Sequence, residues 1–268
     1  TEGVSGAIKS LVETLTSPGK HNIVFPYPTF AMYPVYCKMF DVNAKTVGYN
    51  EQYNLDYSTL IKLIDDKTAI VFLPNPNMPI EGTLSIKEIV NIAQKCIKHK
   101  AIIAIDEVYY PYGGPTAIKL INEYDNIFVM RSFSKAFGLA GIRIGYVVSN
   151  AKNIDYVSKT RTGYETNTVS MEIASFFIDN YDVILDYVKQ VKEGLSYLKT
   201  ELMNLNIEYN GGDAGNFIYI NIHDADKARK IVDNLMDKKI YIRGRWPNPY
   251  DTGFSVTGAP MEIMEKFF

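Results

Sequence analysis

The residues best able to do chemistry lie in one stretch, RSFSKAFGLAGIRIGY at 131–146. Lys135 stands between the serine pair Ser132 and Ser134 and a glycine-bearing turn, with Arg143 eight residues on. Most lysines are solvated surface groups, but the small and apolar neighbours here predict partial burial. Burial disfavours the ammonium, and a neutral amine is a nucleophile that can form a Schiff base. The hydroxyls and the guanidinium around it make an anion site, because arginine takes phosphate in a bidentate fork.

Three further pieces could act with that stretch. In AIDEVYYPYGG (104–114), Asp106 closes an apolar run at a strand end, where the sites of open α/β sheets gather. Such a carboxylate could hold a heterocyclic nitrogen protonated, and Tyr109 could donate to a phenolate oxygen. Taken alone, Asp106 reads more simply as a loop cap. TEGVSGAIKSL opens a helix whose first N–H groups, together with Ser5, suit phosphate, although ordinary capping also places a small polar residue there. PYPTFAMYP (26–34) follows the strand NIVF and puts Phe30 and Tyr33 in a loop. An aromatic there could stack on a flat ring or simply join the core.

The elements that must position these groups are legible from periodicity. Residues 5–15 carry a helical apolar face, and AIVFLP (69–74) is a buried strand ended by proline. Ser85 with Glu88 forms a capping box for a helix running to Lys98. AIIAID (101–106), NIFVMRS (126–132) and IRIGYVVS (142–149) read as further strands. Strands separated by helix-length segments predict an α/β fold with a mostly parallel sheet covered on both faces. Beyond Asn150, residues 170–202 form a long helical stretch, and NFIYINI (216–222) alternates like a strand. An amphipathic helix over 224–239 and strands at IYIRG (240–244) and FSVT (254–257) complete a smaller α+β unit. The division expected is a large unit over 1–165 and a small C-terminal unit with its linking helix over 166–268.

Together these pieces resemble the fold-type I pyridoxal-phosphate enzymes, closest to the histidinol-phosphate aminotransferases. The resemblance covers nearly the whole chain, and SFSKAFGLAGIRIGY is its specific core. It implies that Lys135 carries pyridoxal 5'-phosphate as a Schiff base and shuttles the proton at the substrate carbon. Asp106 would pair with the ring nitrogen, an effect of roughly 1–3 pKa units for such charge pairs. Tyr109 would hydrogen-bond the 3-oxygen, and Phe30 would stack on the ring. Val4, Ser5, Ser132, Ser134 and Arg143 would hold the phosphate. The resemblance also implies a homodimer acting on an amino acid or amino-acid phosphate. Members of that family carry a further segment ahead of the phosphate loop, so these residues would leave apolar surface of the small unit exposed.

The sequence departs from the family pattern at two places. The Asn-Pro-Thr-Gly loop reads NPNMPIEG (75–82), with Met78 where the asparagine would stand and Asn77 one position earlier, within possible reach of the cofactor oxygen. In YIRGRWPNPYDTGFSVTGAP (241–260), Ser255 takes the slot of the arginine that binds the substrate carboxylate. Arg243 or Arg245 could compensate, as surface charge could equally explain both. Tyr33, Asn216 and Trp246 are open to either substrate contact or packing.

The leading expectation is therefore a PLP-dependent aminotransferase. A decarboxylase of an amino-acid phosphate is the alternative, motivated by Ser255, and a cofactor-binding but silent relative stands third.

Composition is consistent with this and excludes other classes. The chain has 268 residues with 28 basic and 30 acidic side chains, 47% hydrophobic and 22% charged, which is ordinary globular usage. A net charge of -2 gives no nucleic-acid surface or polybasic membrane patch. No apolar run approaches the roughly 20 residues of a membrane span, and no metal-ligand spacing occurs. Cys37 and Cys96 stand far apart, which suits a reducing compartment and predicts a soluble cytoplasmic protein.

Overall fold

The apolar runs become the inner strands of a six-stranded sheet in a computed structural model, which describes residues 1–268. The strands are β1 (Asn22–Pro26), β2 (Asn43–Val47), β3 (Thr68–Pro74), β4 (Ile102–Asp106), β5 (Ile127–Ser132) and β6 (Gly145–Val148). Their order is β2-β1-β3-β4-β5-β6, parallel throughout except for the antiparallel β5–β6 pair. Alternate side chains of the inner strands feed opposite cores. Val24, Val71 and Ile103 meet α3 (Tyr57–Leu63) and α4 (Ile86–Lys98). Phe25, Phe72 and Ala104 meet α1 (Gly3–Leu15) and α2 (Met32–Met39). Burial on both faces explains why these strands read as continuous apolar runs.

The capping box forms as its residues dictate: Ser85 Oγ accepts from Glu88 N at 3.3 Å, and Glu88 Oε2 accepts from Ser85 N at 2.8 Å. After α5 (Ala151–Ser158) the chain enters α6 (Thr168–Asp179) and α7 (Tyr181–Asn204). A second sheet follows, antiparallel, of β7 (Glu208–Gly211), β8 (Phe217–Asn221) and β9 (Gly253–Thr257). The apolar stripe of α7, with α8 (Ala225–Asp237) and α9 (Met261–Phe267), packs on that sheet around Val191, Leu195, Leu198, Phe217 and Val256. Glu81 fastens the loop after β3 to the β7–β8 turn, its carboxylate accepting from the N–H groups of Asp213, Ala214 and Gly215.

Four local expectations are corrected. The stretch 170–202 is two helices, broken at Asn180, which ends α6 and begins α7. Residues 240–244 form no strand, because only Arg243 bridges to Ser255 before Arg245 turns into a left-handed conformation at φ 60°. The last strand of the large sheet begins at Gly145 rather than Ile142, since Ala140–Ile142 is a 3-10 turn and Arg143 is left-handed at φ 55°. Tyr33 lies in a helix rather than a loop; Pro34 sits in the first turn of α2, where no intrahelical N–H is lost.

Candidate active site

The carboxyl ends of β3, β4 and β5 deliver Pro74, Asp106 and Ser132 to one cavity of about 530 Å³. Its wall contains Val4, Ser5, Phe30, Asn77, Met78, Tyr109, Ser134, Lys135, Arg143, Arg243 and Trp246 as well. Most of the residues singled out from sequence therefore converge, although they come from six separate stretches of chain.

Asp106 is 2% exposed. Burial pushes its carboxyl up to about 6, opposed by hydrogen bonds from Tyr33 and the Val108 N–H and by the charge of Lys135. Tyr33 Oη donates to Asp106 Oδ2 at 2.7 Å, and Val108 N donates to Oδ1 at 3.1 Å. Burial lowers the Lys135 ammonium below its ordinary value, with Asp106 pulling the other way. The Lys135 Nζ stands 5.3 Å from the centre of the Tyr109 ring. An amine driven toward its neutral form thus faces a carboxyl held in a place that disfavours its charge.

The anion cradle is built by close backbone approach. Residues 1–3 run antiparallel to 143–145, through Gly3 N to Arg143 O at 3.1 Å and Gly145 N to Thr1 O at 3.1 Å. A Cβ on Gly145 would lie 2.7 Å from the Gly3 carbonyl carbon, so the approach requires glycine. This brings the start of α1 beside Ser132, Ser134 and Arg143, with the N–H groups of Val4 and Ser5 free of backbone partners. Ser132 Oγ and Ser134 Oγ lie 2.9 Å apart, and Arg143 Nη1 donates only to Ala140 O, at 2.9 Å. Serine hydroxyls, a guanidinium and helix N–H groups converge here as donors for an oxyanion.

Several residues sit differently from the sequence expectation. Tyr33 is fully buried beneath Asp106, stacked on Phe72 at 4.8 Å, and does not line the cavity. Its hydroxyl is taken up by the Asp106 carboxylate. Asn77 reaches the wall, but its amide is spent on the loop between β1 and α2: Oδ1 accepts from Thr29 Oγ1 at 2.6 Å and Nδ2 donates to Pro28 O at 2.9 Å. Tyr109 Oη donates instead to Met78 Sδ at 3.2 Å. Arg245 points away and pairs with Asp233 at 3.1 Å, as a surface charge would. Ser255 is buried and accepts from Trp246 Nε1, so Trp246 and Arg243 form the wall on that side. Phe30 remains 44% exposed at the cavity, available as a stacking surface.

The family model for aminotransferase class I and II matches residues 1–252. The chain is 33% identical over 222 residues to the histidinol-phosphate aminotransferase of Thermoanaerobacter sp. (strain X514), covering 82% of this chain and 61% of that relative. It therefore spans about three fifths of that relative's length. Among solved structures, the histidinol-phosphate aminotransferase of Sinorhizobium meliloti in complex with pyridoxal-5'-phosphate superposes with a TM-score of 0.88 at 22% identity, over 100% of this chain and 76% of that one. The L-threonine-O-3-phosphate decarboxylase of Porphyromonas gingivalis superposes at 0.82 and 20% identity, over 100% and 80%. At those identities the two structures establish the fold.

Proposed function

The chain belongs to the class I and II aminotransferase family, and on that premise we propose that it is part of a PLP-dependent aminotransferase. Its reaction moves an amino group between an amino acid or amino-acid phosphate and a 2-oxo acid. One observation carries the reading: a single cavity joins the Lys135 amine, the buried Asp106 carboxyl and an oxyanion cradle.

These residues fit pyridoxal 5'-phosphate by their chemistry. Asp106 is a buried acid with Lys135 as the nearest positive charge acting on it, so a protonated ring nitrogen would stabilise its carboxylate. Ser132, Ser134, Arg143 and the first N–H groups of α1 suit a phosphate dianion. Bound there, the cofactor supplies an electron sink for the charge that develops at the substrate carbon. Lys135, with its proton affinity reduced, holds the cofactor through Nζ and then takes and returns the proton at the reacting carbon. Tyr33 keeps Asp106 oriented through the 2.7 Å hydrogen bond. Tyr109 brings a phenol hydroxyl to the cavity, and with Asn77 committed to Thr29 and Pro28 it would be the donor for the cofactor's ring oxygen, exchanging its contact with Met78 Sδ for that bond.

The division into a cofactor-binding unit (1–165) and a small unit with its linking helix (166–268) accompanies this reading, supported by the two separate sheets. So does a cytoplasmic homodimer. Cys37 and Cys96 are both free and buried, no helix is long and apolar enough to cross a membrane, and α6 exposes Val169, Phe176 and Ile178. Ser255, in the slot of a carboxylate-binding arginine, favours decarboxylation of an amino-acid phosphate as the second reading.

Borohydride reduction of the cofactor-loaded protein, followed by peptide mass mapping, tests the assignment. The cofactor mass is expected on the peptide containing Lys135 and is lost in Lys135→Ala; a label on another lysine, or none, overturns it.

A further inference from the structure

Arg243 and Trp246 enter the cavity wall from the segment between α8 and β9, whereas Arg143 arrives from the turn before β6. The guanidinium carbon of Arg243 lies 5.0 Å from the centre of the Trp246 ring. Trp246 Nε1 donates to Ser255 Oγ at 3.1 Å, and Ser255 is 2% exposed within β9. The backbone closes the unit: Arg243 N donates to Ser255 O at 3.0 Å, and Ser255 N to Arg243 O at 2.6 Å. Arg131 pairs with Glu107 and Arg245 with Asp233, but Arg243 has no acidic partner in the chain.

A guanidinium laid against an aromatic ring gains electrostatic stabilisation while its N–H fork stays free for an anion. One planar fork matches one planar carboxylate. A phosphate is better served by the cradle around Arg143, where several donors converge. We propose that Trp246, anchored by Ser255, is a positioning residue that fixes Arg243 as the receptor for a substrate carboxylate. Ser255 then contributes through Trp246 rather than by direct contact. The inference rests on the aminotransferase reading for the identity of the substrate, and on the cavity geometry for the rest.

Trp246 is the sole tryptophan of the chain, so its emission reports on this site alone. The protein, cofactor-loaded and cofactor-free, is titrated with succinate and with inorganic phosphate, read by Trp246 emission and by calorimetry. Succinate is expected to change the emission of both forms, and Arg243→Leu to abolish the response. By calorimetry, Ser255→Ala and Trp246→Phe weaken succinate binding about 3–10-fold, the loss of one anchoring hydrogen bond and part of the ring contact. Both variants keep the visible absorbance of the bound cofactor. In turnover they raise KM for the amino donor with kcat within about two-fold, the signature of lost binding rather than lost chemistry.

No succinate response in the unmodified protein overturns the proposal. So does undiminished binding in Arg243→Leu, in Ser255→Ala or in Trp246→Phe, or a preference for phosphate over succinate. Failure of the aminotransferase reading is distinguishable, because it would appear as absent cofactor absorbance while the cofactor-free titration still decides the role of Trp246.

Discussion

Replacing Asp106 by asparagine is expected to stabilise the cofactor-free protein while destroying its affinity for cofactor. The carboxyl titrates at an ordinary value of 3.8 in the unfolded chain and at about 6 in the folded one, chiefly because it is buried. A folded-state value raised above the unfolded value means that the native protein holds the proton more tightly. Stability is therefore lost as pH rises from about 4 to about 6, and the loss is complete above that. A separation of about two pH units at about 1.4 kcal/mol each amounts to about 3 kcal/mol at neutral pH. Asparagine carries no charge to desolvate, and its amide can serve the same neighbours, with Oδ1 accepting from Val108 N and Nδ2 donating to Tyr33 Oη. Urea unfolding of both cofactor-free proteins at pH 4 and pH 7.5 measures the difference. Near pH 4 the two should be equal within about 1 kcal/mol; at pH 7.5 the variant should be more stable by about 3 kcal/mol. A variant that is less stable at pH 7.5, or a difference independent of pH, would refute the claim that this acid is held ready for a cation.

Two other perturbations test the scaffold. Gly145→Ala places a methyl 2.7 Å from the Gly3 carbonyl carbon and 2.9 Å from Val4 N, pushing the start of α1 out of the anion cradle. Cofactor affinity, followed by absorbance titration, should fall about 10–100-fold, while the helix stays docked through Ile8, Leu11 and Val12. Glu81→Ala strips the acceptor from three backbone N–H groups at 213–215. Urea unfolding should show a loss of about 2–3 kcal/mol.

Much of the site was legible because its parts are short-range. The capping box at Ser85, the strand closed by Asp106 and the serine–lysine loop each announce themselves within a few residues. Contacts between distant segments are not written locally. The bond from Tyr33 to Asp106 joins residues 73 positions apart, and prolines at 26, 28 and 34 masked the helix that presents the tyrosine. Trp246 and Ser255 gave no sign of pairing, since an indole N–H and a strand serine carry no shared pattern. The edge strand β2 is mostly exposed and polar, so it lacked the apolar run that revealed β3 and β4. Asn77 was expected to reach the cofactor by its type, but Thr29 and Pro28 had already claimed its amide.

The reaction itself is tested by a single turnover of the cofactor-loaded protein with amino acids and their phosphate esters, without any oxo acid. Absorbance and mass spectrometry follow the cofactor, the organic product and carbon dioxide. For an aminotransferase, at least one donor converts the cofactor to its amine form with an equivalent of the matching 2-oxo acid. Carbon dioxide released with the cofactor still an aldehyde, or no conversion by any donor, would contradict it.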